Sequence, residues 1–172
     1  LFAVQPLIGK FILPWFGGGP AVWTTCLLFF QVLLLGGYAY AHLGSRWLGS
    51  RGQAALHVGL LVVALACLPI IPSPAWKPTS PDHPIWQILG LLAVCLGLPY
   101  FVLSATGPLM QEWFRRTQPG VSPYRLYALS NLGSLLALVS YPFVFEPAFS
   151  RKTQALVWSW GLGLFALVCA AC

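Results

Sequence analysis

Charged side chains are scarce in this sequence. Only 7% of its 172 residues are charged, with three Asp or Glu against nine Lys or Arg. A soluble domain is about one-quarter charged, so this chain has too few charged side chains to cover a globule. Its many apolar side chains must face lipid instead. The composition therefore predicts an integral membrane protein whose main partner is the lipid bilayer.

Motifs of metal, nucleotide and catalytic sites are missing as well. The sequence has no P-loop and no G-x-G-x-x-G, and its three histidines lie too far apart to show a metal-ligand spacing. Ser104 and Ser130 lack a partner His and acid in any known order. We therefore predict no metal, no cofactor and no catalytic constellation, and we leave open whether the chain belongs to an enzyme.

Apolar runs are what the sequence has in abundance. Six can be marked, at residues 1–16, 21–43, 53–71, 85–114, 124–145 and 153–172. They predict an all-α, polytopic membrane helix bundle of about six transmembrane helices within one domain, 1–172. A crossing needs about 20 residues, so we expect the first helix to be truncated and the chain to be a fragment of a longer one.

The basic residues predict orientation rather than nucleic-acid binding, because they lie between apolar runs and not on a polar face. Those near the second–third and fourth–fifth connections are Arg46, Arg51, Arg115, Arg116 and Arg125. Those on the other side are Lys10, Lys77, Arg151 and Lys152. The Arg-rich connections are predicted to be cytoplasmic, with both termini also cytoplasmic.

The fourth run carries two prolines, Pro99 and Pro108. Each removes a backbone hydrogen bond and disfavours helix just before it. We expect the helix to kink, or to break near residues 104–108. A break would resemble the interrupted helices at transporter binding sites, whereas a kink is ordinary in membrane helices.

The fifth run carries a polar stripe. Tyr127, Asn131, Ser134 and Tyr141 follow the i, i+4, i+7, i+14 spacing of one helix face. We expect this face to point to the bundle interior. Asn131 then either bonds to a neighbouring helix or lines a cavity together with Tyr127 and Ser104.

Charged side chains inside or beside the membrane are functional hypotheses by default. Lys10 and Glu146 are expected at the same outer level, where they can pair. Glu112 and Arg125 are expected at the inner level, where they can pair across the short connection. Both pairs are equally well explained as structural clamps.

Three stretches carry a family resemblance: "LFAVQPLIGKFILPWFGGGPAVWTTCLLFFQ", "LSATGPLMQEWF" and "PYRLYALSNLGSLLALVSYPFVFEP". They resemble the N-terminal membrane module of bacterial multi-pass spermidine-synthase-like proteins, described as fused transporter and spermidine synthase proteins. Tyr127, Ala128, Asn131 and Gly133 look like that family's Tyr-Ala-x-Asn-x-x-Gly helix, with a shifted Asn–Gly gap.

This resemblance implies a Rossmann-like cytosolic domain after the membrane module, which would bind decarboxylated S-adenosylmethionine and putrescine. Any aminopropyl transfer would reside in that domain, since the present residues hold neither a Gly-rich loop nor an acidic cluster. The membrane part also looks like half of a major-facilitator-type bundle, by analogy of helix number and small-residue packing.

Two functions stay open. A membrane anchor or scaffold for a cytosolic domain predicts intramembrane polar groups that pair internally and leave no cavity. A transporter-type module for a small, cationic metabolite predicts a cavity lined by Asn131, Tyr127 and Ser104 with one unpaired acid. A membrane enzyme lacks a visible nucleophile and base, and a homo-oligomer is open under either function.

Overall fold

The computed structural model describes residues 1–78 and 84–171, and within them every regular element is a helix. Residues 79–83, with His83, lie outside the described residues, as does Cys172. The helices are α1 Val4–Phe16, α2 Pro20–Trp47, α3 Ser50–Leu65, α4 Pro84–Leu92, α5 Leu98–Thr117, α6 Tyr124–Ser140, α7 Glu146–Ala148 and α8 Arg151–Ala171. Two π-helical segments, Ala93–Gly97 and Tyr141–Phe145, join α4 to α5 and α6 to α7.

Four helical stretches of the described residues are long and apolar enough to cross a membrane. They are Pro20–Trp47, Pro84–Thr117, Tyr124–Ala148 and Arg151–Ala171. The expected all-helical, membrane-compatible fold is therefore present. α1 and α3 are shorter, at 13 and 16 residues, and fall below the roughly 20 residues of a straight crossing.

The first connection follows local chemistry. α1 ends at Gly17, whose φ of +86° favours glycine. α2 then begins with Pro20 in its first turn, where the missing N–H costs no hydrogen bond. Glycine therefore turns the chain between the first two apolar runs.

α2 and α5 form the central pair of the bundle. Gly37 lies so close to α5 that an added Cβ would overlap Ser104 Oγ and lie 3.0 Å from the backbone nitrogen of Ala105. Across this contact Ser104 Oγ approaches the carbonyl of Leu33 at 3.3 Å. Small residues allow two membrane helices to approach in this way.

α1 packs into a buried apolar cluster made with α2, α4 and the first π-helical segment. Ile8, Ile12, Leu92 and Tyr100 belong to it and are fully buried. The hydroxyl of Tyr100 accepts a hydrogen bond of 2.8 Å from Gln5 Nε2. α1 is therefore an integral part of the core despite its length.

Of the two outcomes expected for the fourth run, a kink or a break near residues 104–108, the break does not occur. α5 continues from Leu98 to Thr117 through Pro108. The irregular part is the π-helical segment Ala93–Gly97, just before Pro99. A proline at 99 cannot donate to the carbonyl four residues earlier, and the wider π turn falls where that bond is lost.

α6 stands apart from the bundle. None of its residues is buried, and its main helix neighbour is α5. Of the predicted polar stripe only Tyr141, beyond the end of α6, is buried; Tyr127 is 55% exposed. The predicted stripe lines a cleft that separates α6 from α2 and α5, so it faces the bundle but does not pack against it.

Candidate functional site

The cleft beside α6 gathers the polar residues singled out in the sequence. Its volume is about 260 Å³, and we call it the α6 cleft. Its polar lining is Tyr38 from α2, Ser104 and Gln111 from α5, and Tyr127, Ser130, Asn131 and Ser134 from α6. The transport alternative predicted a cavity lined by Ser104, Tyr127 and Asn131. These three residues line the α6 cleft together.

The lining is neutral. Ser104 donates to the carbonyl of Phe101 at 2.7 Å, and Ser134 donates to that of Ser130 at 2.9 Å. Within residues 1–78 and 84–171 the structure shows no hydrogen bond from the side chains of Asn131 and Tyr127. The alternative in which Asn131 bonds to a neighbouring helix is therefore not observed, and its amide remains available to the cleft.

Tyr38 and Gln111 were missed by sequence reasoning. Gln111 follows Ser104 by seven residues, which places the two on one face of a helix. That spacing was visible in the sequence. Tyr38 carried no comparable signal, because an aromatic residue in a membrane helix is usually a packing or interface residue.

A second, mostly apolar cleft of about 470 Å³ adjoins the first on the other side of Ser130 and Ser134. Its apolar walls include Leu103, Met110, Leu126, Leu129 and Phe165. Leu1 and Phe2 line both spaces. α6 thus borders a space with one polar and one apolar part.

The predicted Lys10–Glu146 pair is present, with Lys10 Nζ 2.7 Å from Glu146 Oε1. The Lys10 ammonium also lies 5.5 Å from the centre of the Tyr141 ring. Arg151 Nη1 donates to the carbonyl of Lys10 at 2.9 Å. These contacts tie α1, α7 and α8 together at the end of the bundle that we call the Lys10 end.

Gln154 secures the same end from inside. It accepts a hydrogen bond of 2.9 Å from the hydroxyl of Tyr141, and its amide donates to the carbonyls of Phe145 and Phe149 at 3.1 and 2.8 Å. Backbone carbonyls in the irregular region around the second π segment thereby gain a side-chain donor. Gln154 was not predicted as a site residue.

The predicted Glu112–Arg125 pair is wrong. Glu112 instead pairs with Arg115 at 2.8 Å and with Arg116 at 2.7 Å, both on its own helix. Residues three and four apart on one helix face each other, so these partners are reached without crossing a connection. Arg125 is exposed at the start of α6 and has no ion pair within the described residues.

Arg116 also links the helices at this opposite end, which we call the Arg-rich end. Its Nη2 donates to the carbonyl of Ser45 at 2.7 Å, and its Nη1 to the hydroxyl of Ser50 at 3.2 Å. The ends of α2 and α5 and the start of α3 are thus joined through one guanidinium.

A buried polar group between α3 and α5 was also missed. His57 is 1% exposed, and its Nε2 lies 3.0 Å from the hydroxyl of Thr106. One turn earlier, Gln53 accepts a hydrogen bond of 2.8 Å from Trp113 Nε1. The i, i+4 spacing of Gln53 and His57 on an apolar helix could have indicated this polar face.

Within the part of the chain that the structure describes, no three or more His, Cys, Asp or Glu side chains come together as a group that could hold a metal ion. Comparison of the chain with protein-family models, with curated proteins and with solved structures finds no match.

Proposed function

We propose that this chain is a membrane anchor or scaffold module that holds a cytosolic, spermidine-synthase-like domain at the bacterial inner membrane. The observation that carries the proposal is the pairing of both described glutamates. Glu146 pairs with Lys10, and Glu112 with Arg115 and Arg116. The cation-transport alternative predicted an unpaired acid at a cavity, and both of these glutamates are paired.

Three hydrogen-bonded pairs in the core favour the same role. His57 with Thr106, Gln5 with Tyr100 and Tyr141 with Gln154 each connect two helical elements. Interhelical hydrogen bonds of this kind contribute roughly 0.6–2 kcal/mol each in membranes. Their common effect is to hold the helices together.

The proposal includes a topology. The chain would form six membrane helices, with α1 and α3 as short or tilted members, in the manner of half a major-facilitator-type bundle. Contacts sort the basic residues into two ends: Lys77 lies over Trp15 at the Lys10 end, and Arg116 binds Ser45 at the other. The excess of arginine puts the Arg-rich end in the cytoplasm, together with both termini.

Reporter fusions test this proposal. Green fluorescent protein, which does not fluoresce after Sec export, should fluoresce when joined after residue 172 or inserted between residues 117 and 124. Alkaline phosphatase, which is active only outside the cytoplasm, should be active when inserted near residue 78. The opposite pattern, or loss of the protein from membranes washed at high pH, would exclude a cytoplasm-facing anchor.

The α6 cleft goes against the anchor, which was expected to leave no cavity, and supports a second candidate, a transport-type module for a small neutral solute. Its lining offers amides and hydroxyls from Gln111, Asn131 and Tyr127 but no acid. That chemistry suits an uncharged polar metabolite better than the cation expected from the sequence. Saturable uptake of such a solute into proteoliposomes, abolished by Asn131→Leu but not by Leu132→Ala, would favour this candidate over the anchor.

A further inference from the structure

The α6 cleft and the larger space beside it, which we call the apolar cleft, adjoin along the facing sides of α5 and α6. Gly107 and Gln111 of α5 and Ser130 and Ser134 of α6 line both spaces. Their volumes are about 260 and 470 Å³, and together they fall within the roughly 300–1,000 Å³ of ordinary ligand sites. One molecule can therefore extend from the polar space into the apolar one.

The α6 cleft contains hydrogen-bonding side chains that lack a partner. Tyr38 comes from α2, Gln111 from α5, and Tyr127 and Asn131 from α6. Within the described part of the chain, none of these side chains makes a hydrogen bond. Because three separate helices contribute such groups to one space, that space suits a ligand that offers both hydrogen-bond donors and acceptors.

Three of these side chains lie at a similar depth. Gln111 precedes the end of α5 by six residues, Tyr38 precedes the end of α2 by nine, and Asn131 follows the start of α6 by seven. At 1.5 Å per residue these positions lie about 9, 14 and 10 Å from the Arg-rich end. Half of a bilayer's hydrocarbon core is about 15 Å thick. The groups therefore lie at the depth of the lipid chains, where an amide without a partner is costly.

The two clefts are uncharged. Among the described residues, no Asp, Glu, Lys or Arg side chain lines either of them. An ionised head group at this depth would lie away from water without a counter-ion, which costs more than a missing hydrogen bond. Hydroxyl groups both donate and accept, so an uncharged, hydroxylated head group matches the phenols and amides of the lining.

The apolar cleft provides room for a hydrocarbon chain. Its walls include Leu103, Met110, Leu126, Leu129 and Phe165. These walls resemble the bilayer interior in chemistry, so a chain that moves into the cleft from the surrounding lipid loses no apolar environment. The polar and apolar spaces thus match the two ends of an amphiphilic molecule.

We propose that the two clefts bind an uncharged lipid of the cytoplasmic leaflet, with a hydroxylated head group in the α6 cleft and its acyl chain in the apolar cleft. The hydroxyls exchange hydrogen bonds with Asn131, Gln111 and Tyr38, and the chain lies against Leu129 and Phe165. The proposal names a ligand for the site that supports the second candidate above. It rests on the membrane placement and orientation proposed there, but not on transport.

Photolabelling of the purified chain in mixed micelles tests the proposal. The two probes carry the same acyl chain with a diazirine, one as a monoacylglycerol and the other as a methyl ester, which has no hydroxyl. The monoacylglycerol should reach half-saturation at a concentration roughly tenfold or more below that of the methyl ester, the effect of two neutral hydrogen bonds. Its cross-links should map to the walls of the apolar cleft, at Met110 and Leu129. Equal half-saturation of the two probes would overturn the proposal without need of any variant.

A variant at Asn131 tests the polar part of the site. Asn131→Leu should raise the half-saturating concentration of the monoacylglycerol about fivefold, the effect of one hydrogen bond, and should leave that of the methyl ester within about twofold. Leu132→Ala is the control, because Leu132 is next in the chain and lines neither cleft. An equal effect of Asn131→Leu on both probes would contradict a head group in the α6 cleft.

A variant at Gly107 tests the space itself. Gly107 lines both clefts, and an added Cβ there meets no atom within 4 Å. Gly107→Leu therefore fills the space without a clash at Cβ, and leucine is the better helix former. Labelling by the monoacylglycerol should fall about tenfold or more. Gly161→Leu is the matched control, since Gly161 also has open space at its Cβ and lines neither cleft; equal labelling of the two variants would place the probe elsewhere on the surface.

Competition distinguishes the lipid from other occupants. Glycerol at the concentration of the probe should not reduce labelling, because it lacks the acyl chain, and phosphatidylglycerol should compete less well than mono-oleoylglycerol, because it is charged. Displacement by glycerol would make the ligand a small solute, and stronger competition by phosphatidylglycerol would make it an anionic lipid. Either result would overturn the assignment. Failure of membrane placement is detected separately, by release of the chain from membranes at high pH.

Discussion

Lys10 Nζ lies 2.7 Å from Glu146 Oε1, across 136 positions of the chain. The two residues come from α1 and from the start of α7, and Arg151 of α8 binds the carbonyl of the same lysine. These two contacts therefore join α1, α7 and α8. The lysine neutralises an acid that the cation-transport alternative expected to be unpaired.

The Lys10–Glu146 pair should contribute modestly to stability. The Glu146 side chain is 47% exposed, so solvent screens the pair, and we expect a coupling of about 0.5 kcal/mol from a double-mutant cycle of Lys10→Met and Glu146→Gln. The cycle is measured by unfolding in mixed micelles. Lys152, which has no ion pair within the described residues, provides the control cycle of Lys152→Met with Glu146→Gln. If the coupling energy of Lys10 with Glu146 does not exceed that of Lys152 with Glu146, the ion pair is contradicted.

Gly37→Ala should destabilise the central helix pair by about 2 kcal/mol through overpacking. The new Cβ would meet Ser104 and the Ala105 backbone nitrogen, and the backbone cannot yield locally. At the neighbouring Gly36 a Cβ would lie 3.6 Å from the Phe101 ring, an ordinary contact. Gly36→Ala is therefore the matched control, and equal unfolding midpoints for the two variants would show that α2 and α5 are not this close.

Glu112→Gln should weaken the Arg-rich end, whereas Arg125→Gln should not. Removing the glutamate charge leaves Arg115 and Arg116 facing each other, and we expect a loss of about 1 kcal/mol that shrinks at high salt. Arg125→Gln should change the free energy of unfolding by less than about 0.5 kcal/mol. Equal losses of unfolding free energy in both variants would instead support the Glu112–Arg125 pair that the sequence predicted.

Asn131→Leu should leave stability nearly unchanged, within about 0.5 kcal/mol, because its side chain makes no hydrogen bond among the described residues. Gln154→Leu provides the contrast. Gln154 is buried and makes three hydrogen bonds, so its loss should cost about 3 kcal/mol. Chemical unfolding of both variants tests this prediction. A large loss of unfolding free energy for Asn131→Leu would mean that α6 packs closely against the bundle.

The sequence correctly predicted an all-helical chain and the end of the bundle at which the charged groups lie, because composition and the lengths of the apolar runs decide these directly. It placed Lys10 beside Glu146 since both lie at the same end of their helices. It failed for Glu112, because a partner one helical turn away is reached more easily than one across a connection.

The α6 cleft shows a different limit. Helical spacing correctly grouped Tyr127, Asn131 and Ser134 on one face. Spacing says which residues share a face, but not how tightly that face packs, since packing depends on the shape of the neighbouring helices. His57 was set aside because no second metal ligand accompanied it, yet its partner is a hydroxyl on another helix.

The most direct test of the central claim is spermidine uptake by proteoliposomes containing the chain, with and without an imposed membrane potential. If the charged groups serve only to hold the bundle together, uptake should equal that of protein-free liposomes, and Asn131→Leu and Glu146→Gln should change nothing. Saturable uptake that disappears in these folded variants would contradict the anchor and make the α6 cleft part of a transport path.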